Sequence, residues 1–154
     1  MSGLKICFMK VAIISFSVLL LFASSCRKDR HHRLRYYEVG INGSPADWRD
    51  SSFIVATSDP ELIDSINAQL ERPVQARQIL FGKLVHGSGG YNRNAAHVFG
   101  WHFKEDSWSL VDVSAEIYDG RPYSDVDLNQ AYWHDTLKSF SPWGSYIKRE
   151  IIRN

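Results

Sequence analysis

Residues 99–143 read FGWHFKEDSWSLVDVSAEIYDGRPYSDVDLNQAYWHDTLKSFSPW, and the architecture turns on them. Four of the five tryptophans lie here (Trp101, Trp108, Trp133 and Trp143), with His102, Asp106, Asp112, Glu116, Asp119, Arg121 and His134 among them. Aromatic residues beside a carboxylate-bearing strand fit either a packed core or a ligand site. Phe99 to Phe103 and Trp108 to Tyr118 read as strands, and the polar run Lys104 to Ser107 predicts a hairpin joining them. In the second strand Val111, Val113, Ala115 and Ile117 form a core face. Leu110, Asp112, Ser114, Glu116 and Tyr118 form the other. With a four-residue loop His102 opposes Ser109 and points to the core, whereas a one-residue slip sets it beside the carboxylates.

Downstream, Asp119-Gly120-Arg121-Pro122 has the composition of a turn. Ser124, with Asp127 three residues on, is placed to cap a short second helix ending near Leu137. Ser141-Pro142-Trp143-Gly144 predicts a bend, and Ser145 to Ile152 a closing strand. Trp101, Trp133 and Trp143 are expected in the core. Upstream, Leu34 to Ile41 is a strand running into the turn dipeptide Asn42-Gly43. Ser52 to Thr57 is short, apolar and β-branched, hence a buried strand. Ser58-Asp59-Pro60-Glu61 starts a helix, with Leu62, Ile63, Ile66 and Leu70 on one face and a stop before Pro73. Gln78 to His86 is a further strand with Gly82 a candidate bulge, followed by the glycine-rich loop Gly87 to Ala95. That loop lacks the lysine and hydroxyl ending of a phosphate loop, and no amphipathic helix follows it. These elements predict an α+β domain: a mainly antiparallel sheet of five or six strands with two helices packed on one face.

The N-terminus carries an address. Two lysines without an acid, the apolar run Val11 to Phe22, and then Ala23-Ser24-Ser25-Cys26 give the three-part form of an export signal. The run is shorter than the ~20 residues of a membrane span. Small residues directly before a cysteine resemble a bacterial lipoprotein signal, in which the cysteine becomes the lipidated N-terminus, although Ala23 stands where leucine is usual. An ordinary secretory signal and an uncleaved anchor are the alternatives. The expected organisation is a signal at 1–25, a basic tether at 26–35 and one globular domain at 36–154. The only cysteines are Cys7 and Cys26, so a chain cut at Cys26 holds no internal disulfide.

Charge separates the same segments. Arg27, Lys28, Arg30, Arg33 and Arg35 against Asp29 make the tether cationic, suited to anionic lipid headgroups. Residues 36–154 carry 11 basic and 16 acidic side chains, a net of −5. That balance argues against a nucleic-acid-binding domain, which needs a basic face for phosphates. The expected location is therefore outside the cytoplasm, membrane-anchored on the periplasmic or cell-surface side.

Trp101-His102-Phe103, Asp106-Ser107-Trp108-Ser109-Leu110, Glu116, Asp119-Gly120-Arg121-Pro122, Tyr132-Trp133 and Pro142-Trp143, in that order, resemble the N-terminal domain family of a slime-mould calmodulin-binding protein and its secreted bacterial relatives. The resemblance covers roughly residues 52 to 152. Relatives often have cysteines just before the DG and PW pairs, where this chain has Tyr118 and Ser141; the resemblance thus implies that these two positions are neighbours. The calmodulin label does not carry over, because an exported bacterial lipoprotein meets no calmodulin and no basic amphipathic helix of the kind that binds it is evident.

Two functional readings follow. The first is a non-catalytic binding or interaction module, with Trp108, Asp112, Glu116, Asp119 and Arg121 as the candidate ligand face and a protein or glycan as ligand. The alternative is a metal-dependent binding protein or hydrolase using His102 with Asp112 and Glu116, calcium being a candidate cofactor. Carboxylates at i and i+4 of a strand stand about 13 Å apart, so that alternative needs help from another element. The sequence has neither HExxH nor GxSxG.

Overall fold

The computed structural model describes residues 33–115 and 118–153. The expected signal, Cys26, most of the tether, and Glu116 lie outside the described residues. Local pattern and structure agree through the first half: β1 spans Arg35–Ile41, β2 Ser52–Thr57, helix α1 Pro60–Leu70 and β3 Ile79–His86. Gly43 adopts a positive φ of 86° at the turn after β1. The Asp59 side chain accepts from the backbone of Glu61 at 2.9 Å and caps α1, with Pro60 in the first turn. Ile66 is buried, and Leu62 and Leu70 pack on the core, as the helical spacing requires.

The glycine-rich loop holds a small hairpin, β4 (Arg93–Asn94) with β5 (His97–Val98). The expected hairpin at residues 99–118 is not formed. One strand, β6, runs unbroken from Trp101 to Val111 and pairs antiparallel with β3. Opposite Gly82–Leu84 the register shifts, with Gly82 facing Trp108 and Leu84 facing Phe103, so the polar residues Lys104 to Ser107 bulge out of the ladder instead of reversing the chain. Asp106 takes the positive φ, 56°, that the bulge requires. Gly82 is needed here, since a Cβ would lie 2.7 Å from Trp108 Cβ. Beyond Val111 the chain leaves the sheet. Val113 is 84% exposed, which corrects the expected core face of Val111, Val113, Ala115 and Ile117.

The predicted single sheet is also corrected. β8 (Ser145–Ile151) pairs with β1, giving a sheet of order β2-β1-β8; β7 (Ser139–Phe140) joins β3, giving β6-β3-β7. All pairings are antiparallel. Between the two three-stranded sheets, Phe53 of β2 meets Trp101, Phe103 and Phe140 with ring centroids 5.4, 5.8 and 6.4 Å away. The second expected helix is a chain of short turns: π-helical at Pro122–Val126, 3-10 at Asp127–Asn129 and π-helical at Tyr132–Leu137. Lys138 at φ 62° ends it. The protein is thus mostly β with some helix, and a pair of helices on one sheet face is not formed.

Candidate functional site

The central part of β6 is structural. Trp108 is buried and its indole nitrogen donates to the Ala56 carbonyl at 2.8 Å, tying the two sheets together. His102 is buried as well. Its Nδ1 stands 2.6 Å from the Gly87 carbonyl, which can only accept, so that nitrogen carries the proton. Its Nε2 is 3.7 Å from Glu105, and its ring meets Tyr91 edge-on at 5.6 Å. The Tyr91 hydroxyl lies 3.1 Å from the Phe103 carbonyl and 3.0 Å from Glu105; burial first, then that carboxylate, hold it well above the ordinary phenol value. His102, Tyr91 and Glu105 together fasten the glycine-rich loop onto β6.

Asp112 lies at the other end of the strand, exposed, accepting from Gln78 Nε2 at 2.8 Å. Ten residues of strand put it roughly 30 Å from His102. Those two members of the expected metal set do not meet, because β6 continues straight where a hairpin would have folded it back. Among the described residues, no three His, Cys, Asp or Glu side chains are grouped to hold a cation.

Two carboxylates outside the expected ligand face organise the chain from a distance. Asp106, on the bulge, accepts from Ser58 N at 2.7 Å, Thr57 Oγ1 and Ser58 Oγ at 2.8 Å, and Asp59 N at 3.1 Å. Burial would raise its carboxyl, but these donors outweigh that and hold it below the usual carboxylate range. Asp50, itself buried, accepts from Tyr123 N at 2.8 Å, Ser124 N at 2.9 Å and Ser124 Oγ at 2.5 Å. Ser124 is therefore not the cap that the sequence suggests. The first turn of the segment is held by an acid from the loop before β2. Asp127, the expected partner of Ser124, instead accepts from Gly100 N at 2.6 Å and pairs with His97 Nε2 at 3.0 Å. Arg49 lies 3.5 Å from the centre of the Tyr123 ring and secures the same corner.

These anchors hold out the Asp119-Gly120-Arg121-Pro122 turn. Gly120 has a φ of +71°, and a Cβ there would stand 3.1 Å from both Pro142 Cα and Trp143 Cδ1. The DG turn and the PW bend are in contact, in the sense the family resemblance implied for their preceding residues. Ser141 itself turns inward and donates to the Leu80 carbonyl at 2.8 Å. Around the turn, three aromatic side chains reach solvent: Tyr118 at 46%, Tyr132 at 39% and Trp143 at 57% exposure. Tyr118 meets Tyr132 edge-on at 6.0 Å and leans on the buried Trp133 at 5.8 Å. Trp101 and Trp133 are core residues as expected, whereas Trp143 is corrected from core to surface.

Polar groups complete the patch. Asp119 is exposed. Asp125 accepts from Arg121 N at 2.7 Å; burial raises its carboxyl, that backbone donor opposes the rise, and Asp119 and Asp50 add to it. The Tyr118 hydroxyl is held above its ordinary value by neighbouring Tyr132, by burial and by Asp125. Among the described residues Arg121 forms no ion pair with Asp119, and its Nη1 is buried without a hydrogen-bond partner. Of the expected ligand face, the structure brings Asp119 and Arg121 to one place, buries Trp108 elsewhere and leaves Asp112 apart. Sequence reasoning misses the three surface aromatics as a group because they are scattered along the chain. The adjacent DGRP, YW and PW signatures are the available signal.

No curated protein and no solved structure matches the chain. A family model, the N-terminal domain of the calmodulin-binding protein BP-74, matches residues 39–154, which takes in β2 to β8 and every signature segment quoted above. That match is consistent with a non-catalytic interaction module. The chain belongs to the BP-74 N-terminal domain family.

Proposed function

We propose that the protein is an exported, lipid-anchored, non-catalytic module that binds a protein partner through the patch of Tyr118, Tyr132 and Trp143 around Asp119 and Arg121. The observation that carries this reading is that three large aromatic side chains stand in solvent side by side on a turn braced by Asp50 and Pro142. Tyrosine, tryptophan and arginine are the residue types that dominate binding energy at protein interfaces. Fold stability alone gives no reason to leave them exposed, since burying an aromatic ring contributes about 2 kcal/mol or more. Asp119 and the partly buried Asp125 add an acidic rim, so a complementary partner presents basic groups beside an apolar centre. Export and lipidation at Cys26 are supported by the three-part N-terminus and by a basic segment directly after that cysteine.

A photo-crosslinking amino acid placed at Tyr132 in cells that make the protein tests the reading. The expected result is a discrete protein adduct from position 132 and none from Phe81, which is also exposed. Adducts to glycan in place of protein would change the partner class. No adduct at 132, with the chain folded, would remove the patch from consideration. Anchoring is tested separately: Cys26→Ser should release the protein from the membrane fraction or leave it uncut.

A further inference from the structure

We infer that the end of the domain where β1 begins and β8 finishes is a membrane-contacting surface that seats on anionic lipid headgroups. β1 and β8 are antiparallel, with Tyr36 opposite Ile151, so Arg33 and Arg153 come together; Arg33 Nη2 donates to the Arg153 carbonyl at 3.4 Å. Beside them a groove of about 500 Å³ runs between this sheet edge and α1, walled by Leu34, Tyr36, Ile63 and Ile152. That volume lies within the range of small-molecule sites. Ile152 is 85% exposed at its rim.

The electrostatics of the groove are one-sided. Arg35 is neutralised by its ion pair with Glu150. Among the described residues Arg33 and Arg153 have no acidic partner. Arg153 is instead held in place by the Tyr36 ring, 4.6 Å away, and by donating to the Gly90 carbonyl at 3.3 Å. Asp64 of α1 is the single opposing carboxylate in the lining without an ion pair among the described residues. Arg27, Lys28 and Arg30 precede Arg33 directly in the chain. Exposed basic and apolar side chains together are what an anionic bilayer surface takes up, each arginine or lysine near it adding a favourable contribution.

Chain length makes this end the one that faces the bilayer. Cys26 to Arg33 is seven residues, at most about 25 Å when fully extended. A lipid at Cys26, the anchoring proposed above, therefore keeps Arg33 within that distance of the headgroups. Trp143 lies just before the far end of β8, roughly 20 Å along the strand from Ile151. The lipid-seated end and the aromatic patch are therefore at opposite ends of one strand.

Hydrogen exchange on the full chain reconstituted into vesicles tests the inference. On phosphatidylglycerol–phosphatidylcholine vesicles, amides of residues 33–36 and 150–153 should exchange more slowly than on phosphatidylcholine alone, by on the order of fivefold for each arginine engaged. Residues 118–121 should not differ. The Arg33→Gln, Arg153→Gln double variant should lose the slowing, and Ile152→Asp, which keeps both arginines, should weaken it. Equal exchange on the two vesicle types, or slowing that survives the double variant, would overturn the inference. Full protection already on phosphatidylcholine would do so too, because it would assign the groove to the chain's own tether. Cys26→Ser fractionation reads anchoring on its own, so either idea can fail without the other.

Discussion

Two aromatic clusters meet at Trp133. On its inner side Phe140 lies 5.2 Å away and leads to Trp101, Phe103 and Phe53 between the sheets; on its outer side Tyr118 lies 5.8 Å away and leads to Tyr132 and solvent. The residue types are the same on both sides, but their work differs. The inner rings are buried by both sheets and hold them together, whereas the outer rings lie on a turn that carboxylates and glycine already position. What separates core from site here is therefore what backs each ring, and a substitution should move stability on one side and binding on the other.

The largest effect is expected inside. Trp101→Ala should cost about 3–5 kcal/mol, because the ring is fully buried and its nitrogen donates to the Pro122 carbonyl at 3.0 Å. Urea denaturation measures it, and a small loss would break the distinction between the clusters. Next comes the brace beneath the outer cluster. Asp50→Ala strips the acceptor from two backbone donors and a hydroxyl and should cost roughly 3 kcal/mol. It should also blunt binding through disorder of residues 122–126, whereas Asp50→Asn should retain part of both.

Acid sharpens the comparison further. Asp106 is held below its ordinary value in the folded chain, so its contribution is complete above the unfolded carboxyl value of about 3.9 and is lost as pH falls through the lower folded value. Melting followed from pH 6 to about pH 2 should show an acid limb that Asp106→Asn flattens. An unchanged limb would mean that the bulge is not a capping device. The smallest stability effect belongs to the outer cluster: Trp143→Ala should stay within about 0.5 kcal/mol of wild type.

How much of this was legible from residues alone depended on the range of the interaction. β1, β2, α1, β3 and β8 were readable to within a residue or two, because alternation, the Asp59-Pro60 start and Pro73 act locally. The partition into two sheets was not, since β8 returning to β1 and β6 staying with β3 are pairings across long stretches of chain. Lys104 to Ser107 has the polarity of a turn, yet its charge is absorbed by Asp106 binding the start of α1, 47 to 49 residues earlier. Ser124 looks like a cap until Asp50, 74 residues before it, takes its hydroxyl. In the candidate site Asp119 and Arg121 were readable from turn chemistry. Trp143 was not, because a tryptophan after proline carries no mark of which side of the chain it faces.

The central claim is that the outer aromatics serve binding and not folding, and one paired measurement on Trp143→Ala reaches it most directly. The variant is melted, and its adduct yield from a photo-crosslinker at Tyr132 is read in the same cells as wild type. The predicted result is a melting temperature within a few degrees of wild type and an adduct reduced at least about thirtyfold, as for an interface hot spot worth ~2 kcal/mol. A collapsed melting temperature, or an adduct that persists undiminished, would contradict it.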